Sequence, residues 1–226
     1  MHPYGGWMLQ GIFTTIHLSG IGWIIALILG VVVGTSRVFP VAFIRFLGTA
    51  YVELFRNIPL LVQLFIWYFA VPLVLPHTAR LWMYENVPNV EYMAALAALS
   101  IYTSSRVGEQ IRSGLQSIPK EQYQAALSTG LSQIQMYRYV VIPYAARIII
   151  PPLTGEFIGI FKNSSLALTI AVSEVTFMSQ RIDSYTFHGI EAVMGASGVY
   201  IIICLTIMFF MGFIESRVSV PGLIKR

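Results

Sequence analysis

The segment PKEQYQAALSTGLSQIQMYRYVVIP, residues 119–143, decides the reading of this chain, because it is polar and amphipathic within an otherwise apolar sequence. Straight or small side chains at Gln122, Gln124, Ala125, Ala126 and Leu127 favour a helix. Ser128 and Thr129 weaken it, and Gly130 marks the turn. Leu131, Ile134, Tyr137 and Val141 follow at three- and four-residue steps. They predict a second helix with one packed face and with Gln133, Gln135 and Arg138 turned to water. A segment this polar does not span a bilayer; it predicts a helix–turn–helix lying at a surface.

The flanking sequence reads differently. Of 226 residues, 56% are hydrophobic and 11% charged, against about a quarter charged in soluble domains. The chain is therefore expected to be an all-α integral membrane protein forming one domain over residues 1–226. Its 14 basic and 10 acidic residues are spread over short loops, which bears on membrane orientation and excludes a nucleic-acid-binding surface. The single cysteine, Cys204, lies in an apolar run and permits no internal disulfide. His2, His17, His77 and His188 lack the spacing of a metal site.

Apolar runs predict five membrane spans, at 12–38, 46–75, 92–115, 143–162 and 192–214. Gly30 and Gly34 form a G-x-x-x-G that permits close helix approach, and Gly195 and Gly198 a shorter G-x-x-G. Pro59 is expected to kink the second span. Residues 76–89 read as a short polar loop with Trp82 and Tyr84 at the interface. Pro151 is expected to start the fourth helix, with Pro152 in its first turn, and the polar stretch 173–189 to form short helices at the far face. With the amino end outside, cytoplasmic loops collect Arg37, Arg45, Arg112, Lys120, Arg138, Arg217, Lys225 and Arg226, while Arg80 and Arg181 lie outside. The positive-inside rule then places residues 119–143 in the cytoplasm and the carboxyl end inside.

Ionisable groups within spans are costly unless paired or functional. Glu53 and Arg56 are expected to pair. Arg106 and Glu109 share a face with Tyr102, so Arg106 either meets a substrate carboxylate or neutralises Glu109. Glu156 and Lys162 either line a polar pathway or pair between helices. No phosphate-binding loop of the G-x-x-x-x-G-K-[ST] type is present, so any ATP hydrolysis belongs to another chain. No catalytic constellation appears.

Gln124-Ala125-Ala126, three residues, Gly130, nine residues and Val140-Val141-Ile142-Pro143 resemble the cytoplasmic loop of permease subunits of binding-protein-dependent ABC importers, with Gln124 in place of that pattern's glutamate. YVELFRNIPLLVQ, RVGEQIRSGLQSIPK, MYRYVVIPYAARIIIPPLTGE and FKNSSLALTI extend the resemblance over most of the chain, to the glutamate/aspartate branch of the histidine/glutamine/glutamate permeases. The resemblance implies a five-helix type I importer permease of the bacterial inner membrane, with residues 119–143 as the ATPase-coupling loop. Its implied partners are a second, different permease chain, two ATP-binding subunits carrying ATP and Mg, a periplasmic amino-acid-binding protein and membrane lipid. This chain itself carries no cofactor. Gln124, Ala125, Ala126 and Gly130 would couple to the ATPase. Arg106, Glu109, Glu156, Lys162, Asn163 and Ser164 would line the substrate pathway, where Lys-Asn-Ser-Ser replaces the Lys-Asp-x-Ser of basic amino-acid permeases and suits an anionic substrate. The rival readings are a stand-alone secondary carrier or channel for small polar solutes, and a small membrane scaffold without a pathway.

Overall fold

The computed structural model describes residues 3–218, which contain no β-strand. His2, Lys225 and Arg226 lie outside the described residues. Ten α-helices follow one another: α1 (Pro3–Ser36), α2 (Ala42–Asn57), α3 (Leu60–Val74, passing through a π-helical turn), α4 (His77–Asn86), α5 (Val90–Gln116), α6 (Lys120–Ser128), α7 (Gln133–Met136), α8 (Ile142–Asn163), α9 (Val175–Thr186) and α10 (Gly189–Val218). Among the described residues three helical segments, Tyr4–Ser36, Gln133–Ile170 and Gly189–Val218, are long and apolar enough to cross a membrane, and the bent α2–α3 pair makes a fourth if taken as one span; of the five expected spans, that at 92–115, within α5, is not among them.

The architecture is built on α5, which packs against α1, α2, α3 and α8. Its buried positions are mostly small, among them Ala94, Ala95, Ala98, Ser104, Ser105 and Gly108, and small side chains let helix backbones approach closely. The expected G-x-x-x-G of α1 lies on this seam. A Cβ on Gly34 would sit 2.7 Å from the Gly108 carbonyl oxygen, and one on Gly30 2.4 Å from Val107 Cγ1. Gly195 and Gly198 meet nothing within 4 Å.

Side-chain neighbours fix the helix directions. His17 meets Tyr92, Gly30 meets Val107 and Gly34 meets Ile111, so α1 and α5 run parallel. Ile149 packs against Gly114 and Ile160 approaches Gly22, so α8 runs against both. Tyr200 meets Glu174 and Glu215 meets Thr154, which sets α10 antiparallel to α8.

The single span expected over 46–75 is instead broken, with α2 and α3 bent by 101°. The residue before a proline is pushed out of the helical region, and Ile58 is extended at φ −87, ψ 125, with Pro59 as the N-cap of α3. Arg37 at the end of α1 and Arg56 at the end of α2 both reach Glu109, so α2 ends at the depth where α1 ended. The break strips carbonyls of their helical donors. Gln63, 1% exposed, repairs this: its Nε2 donates to the carbonyls of Phe55 (2.7 Å) and Ile58 (3.1 Å).

Three further expectations change. Residues 77–86 are helical rather than a loop, with Trp82 and Tyr84 exposed. Pro151 and Pro152 lie inside α8, whose first turn holds Pro143. Neither can donate to the carbonyl four residues back, so Arg147 and Ile148 lose those bonds. The stretch 173–189 forms one helix, α9, capped by the fully buried Glu174. Glu174 accepts from the N–H groups of Thr176 (2.8 Å) and Phe177 (2.7 Å) and from the Tyr200 hydroxyl (2.5 Å). Burial pushes its carboxyl above the usual range, opposed by these three donors.

Gln63→Leu keeps the side-chain bulk but removes both donors. It should lower stability by about 1–3 kcal/mol, the cost of leaving buried polar groups unpaired, read as a fall in the thermal unfolding midpoint in detergent. An unchanged midpoint would mean that the break needs no side-chain seal.

Candidate translocation and coupling sites

Two charged clusters lie on α5, centred on Arg106 and Glu109 less than one turn apart but served by different helices. The first gathers Glu109, Arg112, Arg37, Arg56 and Glu53. Glu109 accepts from Arg37 and from Arg112 (Nε, 3.2 Å), and the Arg56 guanidinium lies 3.6 Å away. Glu53 stands 3.7 Å from Arg37 and 3.6 Å from Arg56, so the expected Glu53–Arg56 pair is present within a larger network. Three guanidiniums face two carboxylates. Arg37 is only 8% exposed, and its Nε has no hydrogen-bond partner.

The second cluster is Arg106 and Glu156. Arg106 Nε donates to Glu156 Oε2 at 2.7 Å, and its guanidinium carbon lies 5.8 Å from the centre of the Tyr102 ring. Pairing of Arg106 with Glu109 is thus not what forms: α8 brings Glu156 to Arg106, while α1 and α2 bring Arg37 and Arg56 to Glu109. Glu156 therefore pairs between helices, one of the two outcomes expected for it, whereas Lys162, six residues on and about 9 Å along the same helix, does not. The Arg106 side chain is 43% exposed and that of Glu156 11%. The hydrogen bond to Glu156 is made by Nε, and among the described residues the two terminal nitrogens donate a hydrogen bond to no carboxylate.

The remaining pathway candidates lie at the end of α8. Lys162 is exposed and has no ion partner among the described residues. Asn163 is half-buried. Ser164 is fully buried and its hydroxyl donates to the Phe161 carbonyl at 2.7 Å, a bond that closes the helix end. Sequence reasoning found the acid and base of each cluster but missed Arg37 as a partner, since it reads as an ordinary basic flank.

The segment 119–143 forms the expected helix, turn and helix. Gly130 has φ +82, a conformation that a side chain resists. Ser132 and Gln135 form a reciprocal capping box at the start of α7. Gln124 and Ala125 are exposed, but Ala126 is 6% exposed and packs with Ile118, Met136 and Val141 in the chain's own core. The expected packed face of the second helix also changes. Met136 and Val141 are buried, while Ile134 is 80% exposed and Tyr137 about half so. After one short helical turn the chain enters a π-helical turn at Tyr137–Val141, and its wider spacing rotates the later side chains off the 3.6-residue pattern.

The family of binding-protein-dependent transport system inner membrane components matches residues 26–220. The chain belongs to this family. Being a member, it is a multi-pass transport subunit of the inner membrane, the ATPase being a separate chain, and the stand-alone carrier reading has no support. The glutamate/aspartate import permease protein GltJ of Escherichia coli (strain K12) is 39% identical over 221 residues, covering 97% of this chain and 90% of that protein. The probable glutamine ABC transporter permease protein GlnM of Bacillus subtilis (strain 168) is 31% identical, covering 93% of each. Among solved structures, a chain of an amino acid ABC transporter crystallised with histidines is similar with a TM-score of 0.82 and 28% identity, over 95% of both chains. A chain of the inward-facing MetNI methionine ABC transporter, at 18% identity and a TM-score of 0.73, shares the fold.

Glu109→Gln should cost about 2 kcal/mol of stability, because it takes the nearest carboxylate from the buried Arg37 guanidinium and leaves only the more distant Glu53. Arg37→Met with Glu109→Gln should recover part of that loss, as measured by thermal unfolding of the purified subunit. A double variant no more stable than Glu109→Gln would sever the two residues energetically.

Proposed function

We propose that this permease subunit carries acidic amino acids, glutamate or aspartate, across the inner membrane after delivery by a periplasmic binding protein. The observation that carries this reading is Arg106. Its Nε is held by Glu156, and its terminal nitrogens remain to form the planar fork that matches a carboxylate bidentately. Glu156 serves as a positioning residue that fixes the guanidinium. The similarity to a glutamate/aspartate import permease points the same way. Lys162 and Asn163 stand about two turns along α8 as further polar contacts on the path.

The membrane arrangement is read as five crossings with the amino end periplasmic and the carboxyl end cytoplasmic. The parallel course of α1 and α5 supports it, since the chain between them must return across the membrane once, and α3 is the segment available. α8 and α10 then supply the fourth and fifth crossings. In this orientation Arg37, Arg56 and Arg112 share the cytoplasmic end with residues 119–143, in keeping with the positive-inside rule.

Residues 119–143 act as the coupling loop to two ATP-binding subunits, which carry ATP and Mg, and a second, different permease completes the pathway. The exposed surface for docking comprises Gln124, Ala125, Leu127 and Ile134, with Gly130 setting the turn between the two arms. Ala126 holds this loop to the core, so movement of the loop is passed to α5 and α8 through Ile118, Met136 and Ile149.

Arg106→Lys keeps the charge but loses the fork. Glutamate uptake into proteoliposomes should fall by about tenfold or more, as expected for a charged hydrogen bond worth roughly 1.5–3 kcal/mol, with assembly intact. Full uptake by this variant would remove Arg106 from recognition. For the loop, Ile134→Asp should leave thermal stability unchanged yet abolish stimulation of the ATPase by loaded binding protein, whereas Ala126→Asp should destabilise the subunit itself. Normal stimulation in the Ile134 variant would exclude that face from docking.

A further inference from the structure

A cavity of about 310 Å³ lies between the first half of α1, the start of α5 and the loop before α9, away from Arg106. Three rings form a continuous wall. Phe13 stacks on His17 with ring centres 5.7 Å apart and 18° between planes, and the His17 and Tyr92 rings lie 5.8 Å apart. His17 Nδ1 and the Tyr92 hydroxyl are hydrogen-bonded at 2.6 Å, so these polar atoms satisfy each other. Glu91 is the only Asp, Glu, Lys or Arg in the lining. It is half-buried and has no cationic partner among the described residues. Its place in the first turn of α5 is favourable for a carboxylate, but that alone does not account for three aromatic rings around a cavity beside it. Asn89, also in the lining, is held in the left-handed region at φ 53 and makes no side-chain capping bond to α5, so its amide is available to the cavity.

A carboxylate beside exposed aromatic faces, with no Lys or Arg in the lining, is the chemistry that recognises organic cations. The cavity is of the size that holds one small polar molecule or a single head group. We infer that this cavity binds an organic ammonium group, with Glu91 as its counter-ion and Phe13, His17 and Tyr92 as its walls. Such a group has two sources, a soluble amine or amino acid, and the ethanolamine head group of a phospholipid.

The test uses the full chain in its assembled transporter, with Cys204→Ala and a reporter thiol from Ser173→Cys at the cavity wall. In phosphatidylglycerol nanodiscs the cationic reagent trimethylammonioethyl methanethiosulfonate should outpace the anionic sulfonatoethyl reagent by about tenfold relative to a free thiol, as a focused negative site gives. Glu91→Gln should abolish that preference and Glu91→Asp retain it. Protection of the thiol by n-butylammonium in these nanodiscs assigns the soluble source. Protection on changing to phosphatidylethanolamine nanodiscs, without added amine, assigns the head group. If neither protects, or if Glu91→Gln keeps the reagent preference, the inference is overturned.

Discussion

A guanidinium buried where α1 ends is the constraint on which much of this structure depends. An isolated charge in a low-dielectric interior costs several kcal/mol even after relaxation, so Arg37 requires a carboxylate at close range. Glu109 supplies it from α5, and Glu109 in turn is approached by Arg56 and Arg112. For Arg56 to arrive there, α2 must end at the same depth as α1. That is possible only because the chain breaks at Ile58 and Pro59 before α3 departs. The break is tenable because Gln63 reaches back to the carbonyls it exposes. Charge neutralisation, helix direction and backbone hydrogen bonding are thus one linked requirement.

Close packing along α5 carries the same logic to the Arg106–Glu156 pair and to residues 119–143. Small residues let α1 lie parallel to it, and α8 returns on another side carrying Glu156 to Arg106. Lower on α8, Ile149 fills the notch at Gly114 and joins the cluster that holds Ala126. One helix therefore touches both the charged pair and the anchorage of residues 119–143. A displacement at either place has a short, packed route to the other.

How much of this was legible in the sequence follows from the range of each interaction. The membrane-embedded helical class, the turn at Gly130, the Glu53–Arg56 pair and the close approach at Gly30 and Gly34 are written in local composition and spacing. The pairing of Arg106 with Glu156 and of Glu109 with Arg37 is not, because these partners arrive from 50 and 72 positions away. A proline signals a disturbed helix without stating its size: Pro59 breaks the chain while Pro151 and Pro152 are carried inside α8. Ile134 was misplaced because periodic reading assumes an unbroken α-helix, and a π-helical turn follows it. Glu174 gave no cap signal, since Ser, Thr, Asp and Asn are the usual caps; its burial against Tyr200 is a tertiary fact.

The brevity of α3 has a consequence for the surrounding lipid. Its 15 residues, Leu60–Val74, rise about 22 Å, whereas the hydrocarbon layer is about 30 Å thick. Leu73 and Val74 at its far end are among the most exposed apolar side chains. In the five-crossing arrangement proposed above, α3 leaves a hydrophobic mismatch on one flank of the protein, and acyl chains there must compress or tilt to meet it. Each ångström of mismatch costs a fraction of a kcal/mol. The energy of the folded subunit is therefore tied to acyl-chain length, and one side of it favours a thinner bilayer than the long helices α1 and α10 require.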